Sequence, residues 1–261
     1  SLPHPVTCDP VTCIRCHASG LTHRGSCTRD GSGLTYAAFI LYTLCHGKRR
    51  PIYKPPTSQK SRMPNQSPII QIAEDASGVA RLGAGLFAAT IRSEVDKKGS
   101  AFVALSGGST PRAMHRLLGQ TPLRQDIPWH GLYLFWVDER CVPHTDEASN
   151  FGAARRDFLE SVDIPRDHIH PMPTEPGSTE AAQAYAGEIE RTVPKNHRGM
   201  PCFDIVFLGI GEDGHTASLF PDHGALAEDA RWIVPVRGGQ PFVDRFTMTL
   251  PVLNGAKQVV F

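Results

Sequence analysis

The run "LYLFWV", residues 132–137, has apolar or aromatic side chains throughout. A strand with one wet face alternates apolar and polar residues, whereas a continuous apolar run suits a strand covered on both faces. "FDIVFLGI" at 203–210 is a second such run, and "AFVAL" at 101–105 is a shorter one. Between these runs, apolar residues recur three or four apart, the period of a helix. Residues 76–95 place Val79, Leu82, Leu86 and Ile91 near that spacing, and residues 111–118 group Ala113, Met114, Leu117 and Leu118. Residues 150–162 gather Phe151, Ala154 and Phe158 behind a Ser149 cap. Residues 181–193 set Tyr185, Ile189 and Val193 four apart. Short strands are expected at 69–72, in "WIVPV" (232–236) and "RFTMTL" (245–250), and in "QVVF" (258–261).

Strand and helix alternate, and the strands are apolar on both faces. The expected class is therefore α/β: a three-layer αβα fold with a mainly parallel, Rossmann-like sheet and helices on both faces. In such sheets ligands bind beyond the carboxyl ends of the strands. The loops after 105, 137 and 210 are the ones that matter.

Composition narrows the partners. Lys plus Arg total 27 and Asp plus Glu total 26, a formal net charge of +1. That balance supplies no field for nucleic acid or an anionic membrane. The longest apolar stretch, "AAFILYTLC" at 37–45, is too short to span a bilayer. Of seven cysteines, five (Cys8, Cys13, Cys16, Cys27 and Cys45) lie in the first 45 residues. The remainder is Cys-poor, which suggests a reducing compartment, the cytoplasm, rather than a disulfide scaffold.

Residues 1–62 differ from the rest. They mix Cys, His, Pro, Gly and Arg without periodicity and end in "KRRPIYKPPTSQKSR". They read as an irregular Cys/Pro/basic extension, or as translated sequence upstream of Met63, outside the α/β domain of residues 63–261. Cys8, Cys13, Cys16, His17 and Cys27 offer a zinc alternative. Cys13 and Cys16 have C-x-x-C spacing, but a second such pair is missing. A targeting segment is a further alternative, without a clean apolar core or an Arg-rich amphipathic helix.

The first loop, "SGGSTP" at 106–111, offers backbone N–H groups, three hydroxyls and the positive end of a helix dipole. Gly107 and Gly108 allow close approach of a ligand, Thr110 is expected to cap the helix, and Pro111 suits its first position. Ser106, Gly107, Gly108, Ser109 and Thr110 form a candidate phosphate site; the bland reading is a tight turn. In the second, "WVDERCVPHTDEASN" at 136–150, Arg140 could clamp a phosphate, and an adjacent carboxylate, Asp138 or Glu139, could orient that Arg or handle protons. By itself "DER" reads as a solvated charge cluster, and Cys141 as a passenger. In the third, "GIGEDGHTASLFP" at 209–221, His215 follows a glycine turn, and "TASLF" is expected to open a helix. An imidazole there can take a proton from water and return it to a leaving group, oriented by Asp213 or Glu212. No serine or cysteine sits in a nucleophile elbow, and His215 lacks a second His at i+4 for a metal.

Together "ALSGGSTP", "WVDERCVPHTDEASN", "FLGIGEDGHTASLFP" and "RFTMTLPVLNGAKQVVF" resemble the 6-phosphogluconolactonase family, in order from about residue 67 to 261. The related glucosamine-6-phosphate deaminases typically carry D-E-Y and continue D-G-H with I-A-F-N-E-P; "DER" and "DGHTASLFP" favour the lactonase. The resemblance implies hydrolysis of 6-phospho-D-glucono-1,5-lactone without metal or organic cofactor. It implies His215 as general base, with Asp213 orienting it. Ser106, Gly107, Gly108, Ser109, Thr110, Arg140 and Asn150 would hold the substrate phosphate, with Asp138, Gly214 and Thr216 also at the site. The family usually continues past "VVF" into a last helix, so the expectation is a C-terminal end that is incomplete here, with apolar surface exposed. The expected assembly is a monomer or weak homodimer. Two alternatives remain open: a phosphosugar isomerase or deaminase with Asp138 as base, and a non-catalytic sugar-phosphate binding module.

Overall fold

The computed structural model describes residues 68–261 except Pro176, together with the backbone of a hairpin formed by β1 (Tyr42–Cys45) and β2 (Lys48–Pro51). The zinc alternative at Cys8, Cys13, Cys16, His17 and Cys27, and most of the 1–62 extension, lie outside the described residues.

Five parallel strands form the central sheet in the order β10-β7-β3-β4-β6, namely β3 (Ala101–Leu105), β4 (Leu132–Trp136), β6 (Ile169–His170), β7 (Ile205–Phe207) and β10 (Val259–Val260). The apolar runs thus become strands, and β3 is buried at every position. Laterally paired residues share a face of the sheet. Leu105 pairs with Trp136, and on that face Trp136 meets Phe151 of α4 (Asn150–Asp157) edge-on. Phe135 faces the other way, toward Tyr185 of α5 (Thr179–Thr192). Helices therefore cover both faces, as a sheet of double-sided apolar strands demands.

A second, three-stranded antiparallel sheet has the order β5-β9-β8, from β5 (Asp138–Arg140), β8 (Ile233–Gly238) and β9 (Val243–Met248). The chain leaves the parallel sheet at Val137. Its N–H still donates to Leu105 O, while its carbonyl accepts from Met248 N. "DER" thus begins a new strand at the junction of two sheets. Its Asp138 and Glu139 are 5% and 0% exposed, which corrects the solvated-cluster reading.

Helix α1 (Ala76–Lys98) starts where Asp75 Oδ1 accepts from Gly78 N and ends at Gly99, whose φ of 78° closes the last turn. Its buried stripe is Ala80, Ala84, Phe87, Ala88 and Ile91. Val79 and Leu82 face outward, because small alanines let the helix lie closer to its neighbours than the larger residues would. Residues 69–72 form no strand, and Ile69, Ile70 and Ile72 are more than half exposed. They find no partner strand among the described residues, and β-propensity alone does not hold one. Helix α2 (Ser109–Leu118) begins two residues earlier than its periodicity suggested, with Gly108 as N-cap and no side-chain cap, and the single turn α3 (Leu123–Asp126) follows it. Thr110 therefore lies inside the first turn rather than capping it. Ser149 does cap α4, its Oγ accepting from Gly152 N at 2.9 Å. That helix stops at Asp157, and the expected remainder is a 3₁₀ turn at Leu159–Ser161.

The amino-terminal edge of the sheet is tied by charge. Asp204, just before β7, has no exposed side-chain surface. It accepts from Lys98 Nζ (2.7 Å), from Phe102 N (2.8 Å), and pairs with Lys257 (2.7 Å). Glu94 joins through Lys257 at 2.7 Å. Burial alone would raise the Glu94 carboxyl, but the Lys257 hydrogen bond and the charges of Lys257 and Lys98 bring it down to about 2.

Candidate active site

Strand order locates the site. From β3 the chain proceeds to β4 and β6 on one side, then returns to β7 and β10 on the other. The direction reverses between β3 and β7, which leaves a crevice at their carboxyl ends. The loops bordering it are "SGGST" after β3 and "GIGEDGH" after β7. A Cβ on Gly209 would stand 3.9 Å from Gly107 O, so the two loops run side by side.

In the first loop Gly108 has φ 103°, which turns the chain into α2. With no side-chain cap, the N–H groups of Ser109 and Thr110 stay open at the helix start, where anions are favoured. Gly107 packs so closely on the Asn150 amide that a Cβ would collide with it. Ser106 Oγ is buried and has no protein partner.

The second loop is held by buried polar contacts. Asn150 Nδ2 donates to Asp138 O (2.9 Å) and Asp138 Oδ1 (3.1 Å), and Asn150 Oδ1 accepts from Arg140 Nη1 (2.9 Å). Arg140 Nη1 also reaches Ala148 O at 2.7 Å, while its Nε is buried without a partner. Asn150 and one arm of Arg140 are thus engaged in bracing the loop. Burial, with Asp244 nearby, pushes the Cys141 thiol up to about 11, which disfavours the thiolate a nucleophile needs.

In the third loop Gly211 N donates to His215 O, and Gly214, with φ 87°, completes the turn. Asp213 Oδ1 accepts from His215 N (3.1 Å) and bonds to His215 Nδ1 (2.5 Å). Partial burial works to raise the Asp213 carboxyl. The two hydrogen bonds from His215 outweigh it and hold the group below the usual carboxylate range. A carboxylate at Nδ1 places the proton there and leaves the Nε2 lone pair to act as base. "TASLF" is not a helix. Ala217 takes φ 49°, and Thr216 bridges to Leu219, so residues 215–220 form a tight irregular turn closed by Pro221. Thr216 Oγ1 is a second buried hydroxyl without a partner. Phe220 packs on the His215 ring with centroids 4.9 Å apart, and the Arg245 guanidinium lies over the Phe220 ring, 5.6 Å from its centroid. A cleft of about 460 Å³ opens beside this turn, lined by Asp213, Phe220, Pro221 and the β8–β9 end at Arg237–Gly239.

Sequence reasoning overlooked Ser218 and Arg245, and placed Glu139 only in a charge cluster beside Arg140. Glu139 accepts from Arg140 N, Asn150 N, Phe151 N and Ser149 Oγ at 2.7–2.9 Å, and so fixes the start of α4 to β5. Ser218, fully buried, donates to Asp138 Oδ2 at 2.6 Å. Arg245, 2% exposed, donates to Gly238 O and Pro241 O. The signal available for Glu139 was its place two residues past an apolar run; nothing local marked Ser218. Among the described residues, no group of three or more His, Cys, Asp or Glu could hold a metal ion, and no helix is long and apolar enough to cross a membrane.

Comparison with known proteins matches residues 74–261 to the family described as glucosamine-6-phosphate isomerases/6-phosphogluconolactonase. A 6-phosphogluconolactonase of Synechocystis is 42% identical over 173 residues, 66% of this chain and 69% of that protein. One from Treponema pallidum is 36% identical, covering 72% and 76%. The crystal structure of a 6-phosphogluconolactonase from Thermotoga maritima superposes with a TM-score of 0.64 at 27% identity, covering 73% of this chain and 81% of that one.

Proposed function

The chain belongs to the glucosamine-6-phosphate isomerase/6-phosphogluconolactonase family, and from that premise we propose how it hydrolyses 6-phospho-D-glucono-1,5-lactone to 6-phosphogluconate, a step of the oxidative pentose phosphate pathway. The observation that carries the mechanism is the His215–Asp213 pair, which leaves Nε2 as a free acceptor on a loop that runs alongside the glycine loop. The substrate phosphate binds at Gly107, Gly108, Ser109 and Thr110, on the uncapped start of α2. Arg140 lends its unpaired Nε edge, and the unpartnered hydroxyls of Ser106 and Thr216 serve substrate oxygens.

His215 Nε2 accepts a proton from water as the water oxygen adds to the lactone carbonyl carbon. The tetrahedral adduct collapses by breaking the bond from that carbon to the ring oxygen. The imidazolium returns its proton to the departing oxygen, and the new carboxylic acid ionises into solvent. Asp213 holds the ring in the needed tautomer and stabilises the imidazolium. Proton abstraction from carbon by Asp138 is disfavoured, because both its carboxylate oxygens already accept hydrogen bonds from Asn150 and Ser218. With Cys141 and Cys202 both free, a reducing compartment such as the cytoplasm suits the domain; enrichment of the protein in an oxidising compartment on cell fractionation would count against that placement.

The test is to give the protein freshly prepared phosphogluconolactone and, separately, glucosamine 6-phosphate. The expected result is hydrolysis above the spontaneous rate, a loss of at least about a hundredfold in His215→Ala, and no ammonia from the amino sugar. Ammonia release, or a His215→Ala variant as active as the parent, would overturn the mechanism.

A further inference from the structure

The phosphate and the reacting carbonyl of this substrate lie at opposite ends of the sugar. An enzyme that grips the phosphate in one loop and activates water in another must fix the separation of those loops. The His215 turn cannot do this through its own regularity, since it forms neither helix nor strand. Its hydrogen bonds to β5 and β9 both run through Ser218. Ser218 N donates to Thr247 Oγ1 at 3.2 Å, and Ser218 Oγ donates to Asp138 Oδ2 at 2.6 Å. Asp138 and Thr247 face each other across the β5–β9 pair, so Ser218 straddles that rung. The connection continues from Asp138 Oδ1 to Asn150 Nδ2, and from the Asn150 side chain to its close contact with Gly107. Ser218, Asp138 and Asn150 are each 5% exposed or less, so water does not compete for these bonds.

We infer that Ser218 is a positioning residue: its hydrogen bond to Asp138 sets the distance from His215 to the phosphate-gripping glycine loop. The inference rests on the lactonase reading above and deepens it. Displacement of a catalytic group by about 1 Å costs on the order of a hundredfold in rate. Loss of this bond moves the base and leaves the phosphate loop in place, so it falls on kcat rather than KM.

In Ser218→Ala, kcat for the lactone is expected to fall about 10- to 100-fold, with KM within about threefold of the parent and 6-phosphogluconate still bound. Ser218→Cys, which keeps the size and a weaker donor, recovers part of the loss. Asp138→Ala combined with Ser218→Ala is no slower than the worse single variant, because both remove one connection. A readout independent of turnover accompanies these assays. Binding of 6-phosphogluconate perturbs the His215 ring signals in the NMR spectrum of the parent, and in Ser218→Ala the ligand binds without that perturbation. A parent that fails to hydrolyse the lactone refutes the activity and leaves the NMR arm to decide the positioning role. A Ser218→Ala variant with kcat within about threefold of the parent, or losses that multiply in the double variant, refutes the role of Ser218.

Discussion

His115 gives the sharpest test of the packing. It lies on α2 behind the glycine loop, 1% exposed, with neither ring nitrogen bonded to a partner, and packs against Phe158 at 5.4 Å between centroids. Burial lowers its pKa from 6.5 to about 4, against the Asp157 carboxylate, which raises it, and with Arg112, which adds to the lowering. Between those values the unfolded chain binds a proton that the folded chain refuses. The stabilising effect of the neutral ring is therefore complete above about pH 6.5 and lost as pH falls through about 4. At pH 5 the loss is about 2 kcal/mol, from roughly one and a half pH units at 1.36 kcal/mol each. His115→Leu removes the titration and two unsatisfied nitrogens while keeping a helix-favouring, similarly sized side chain. Urea unfolding at pH 7.5 and pH 5.0 measures both proteins. The parent is expected to lose about 2 kcal/mol more than His115→Leu over that interval, or roughly 4–8 °C in Tm, with lactonase activity at pH 7.5 retained. Equal losses in the two proteins would refute the buried neutral imidazole.

Two further substitutions separate stability from chemistry. Asp204→Asn keeps an acceptor for Phe102 N but removes the charge facing Lys98 and Lys257; since those lysines are about a third exposed, the low end for a broken buried pair applies, about 3 kcal/mol. Thermal unfolding reads that loss, and kcat/KM at 25 °C stays unchanged because Asp204 lies at the edge of the sheet opposite the site. Gly107→Ala drives a methyl group into the Asn150 amide, which Asp138 and Arg140 hold in place, so the glycine loop proposed to bind phosphate must shift; KM for the lactone is expected to rise about tenfold or more, at 1.4 kcal/mol per factor of ten.

The parallel sheet was legible because its strands are buried on both faces, which leaves the uninterrupted apolar runs at 101–105 and 132–137. Helix α5 was legible because Tyr185, Ile189 and Val193 keep helical spacing, and the α4 start because Ser149 caps it locally. The errors arose where distant residues decide local shape. "TASLF" has a helix-compatible composition, yet Ala217 is held at positive φ while Ser218 is bonded to β5 and β9. Ile69, Ile70 and Ile72 favour a strand but pair with none among the described residues. "DER" looks like surface charge, and only the meeting of two sheets buries it. Of the candidate site, His215, Asp213 and the glycine loop were visible as motifs, whereas Ser218 and Glu139 act through contacts that local spacing does not encode.

Glu139 has one more consequence. Its single carboxylate gathers donors from both ends of the excursion between β5 and α4, at Arg140 on one side and at Ser149, Asn150 and Phe151 on the other. The excursion is therefore cinched at its neck, and much of its tip, Pro143 and residues 145–147, is exposed. Lengthening a loop costs little once its ends are pinned. This tip can drift in length and composition across evolution, or accept a grafted peptide, while Asp138, Arg140 and Asn150 keep their places below it.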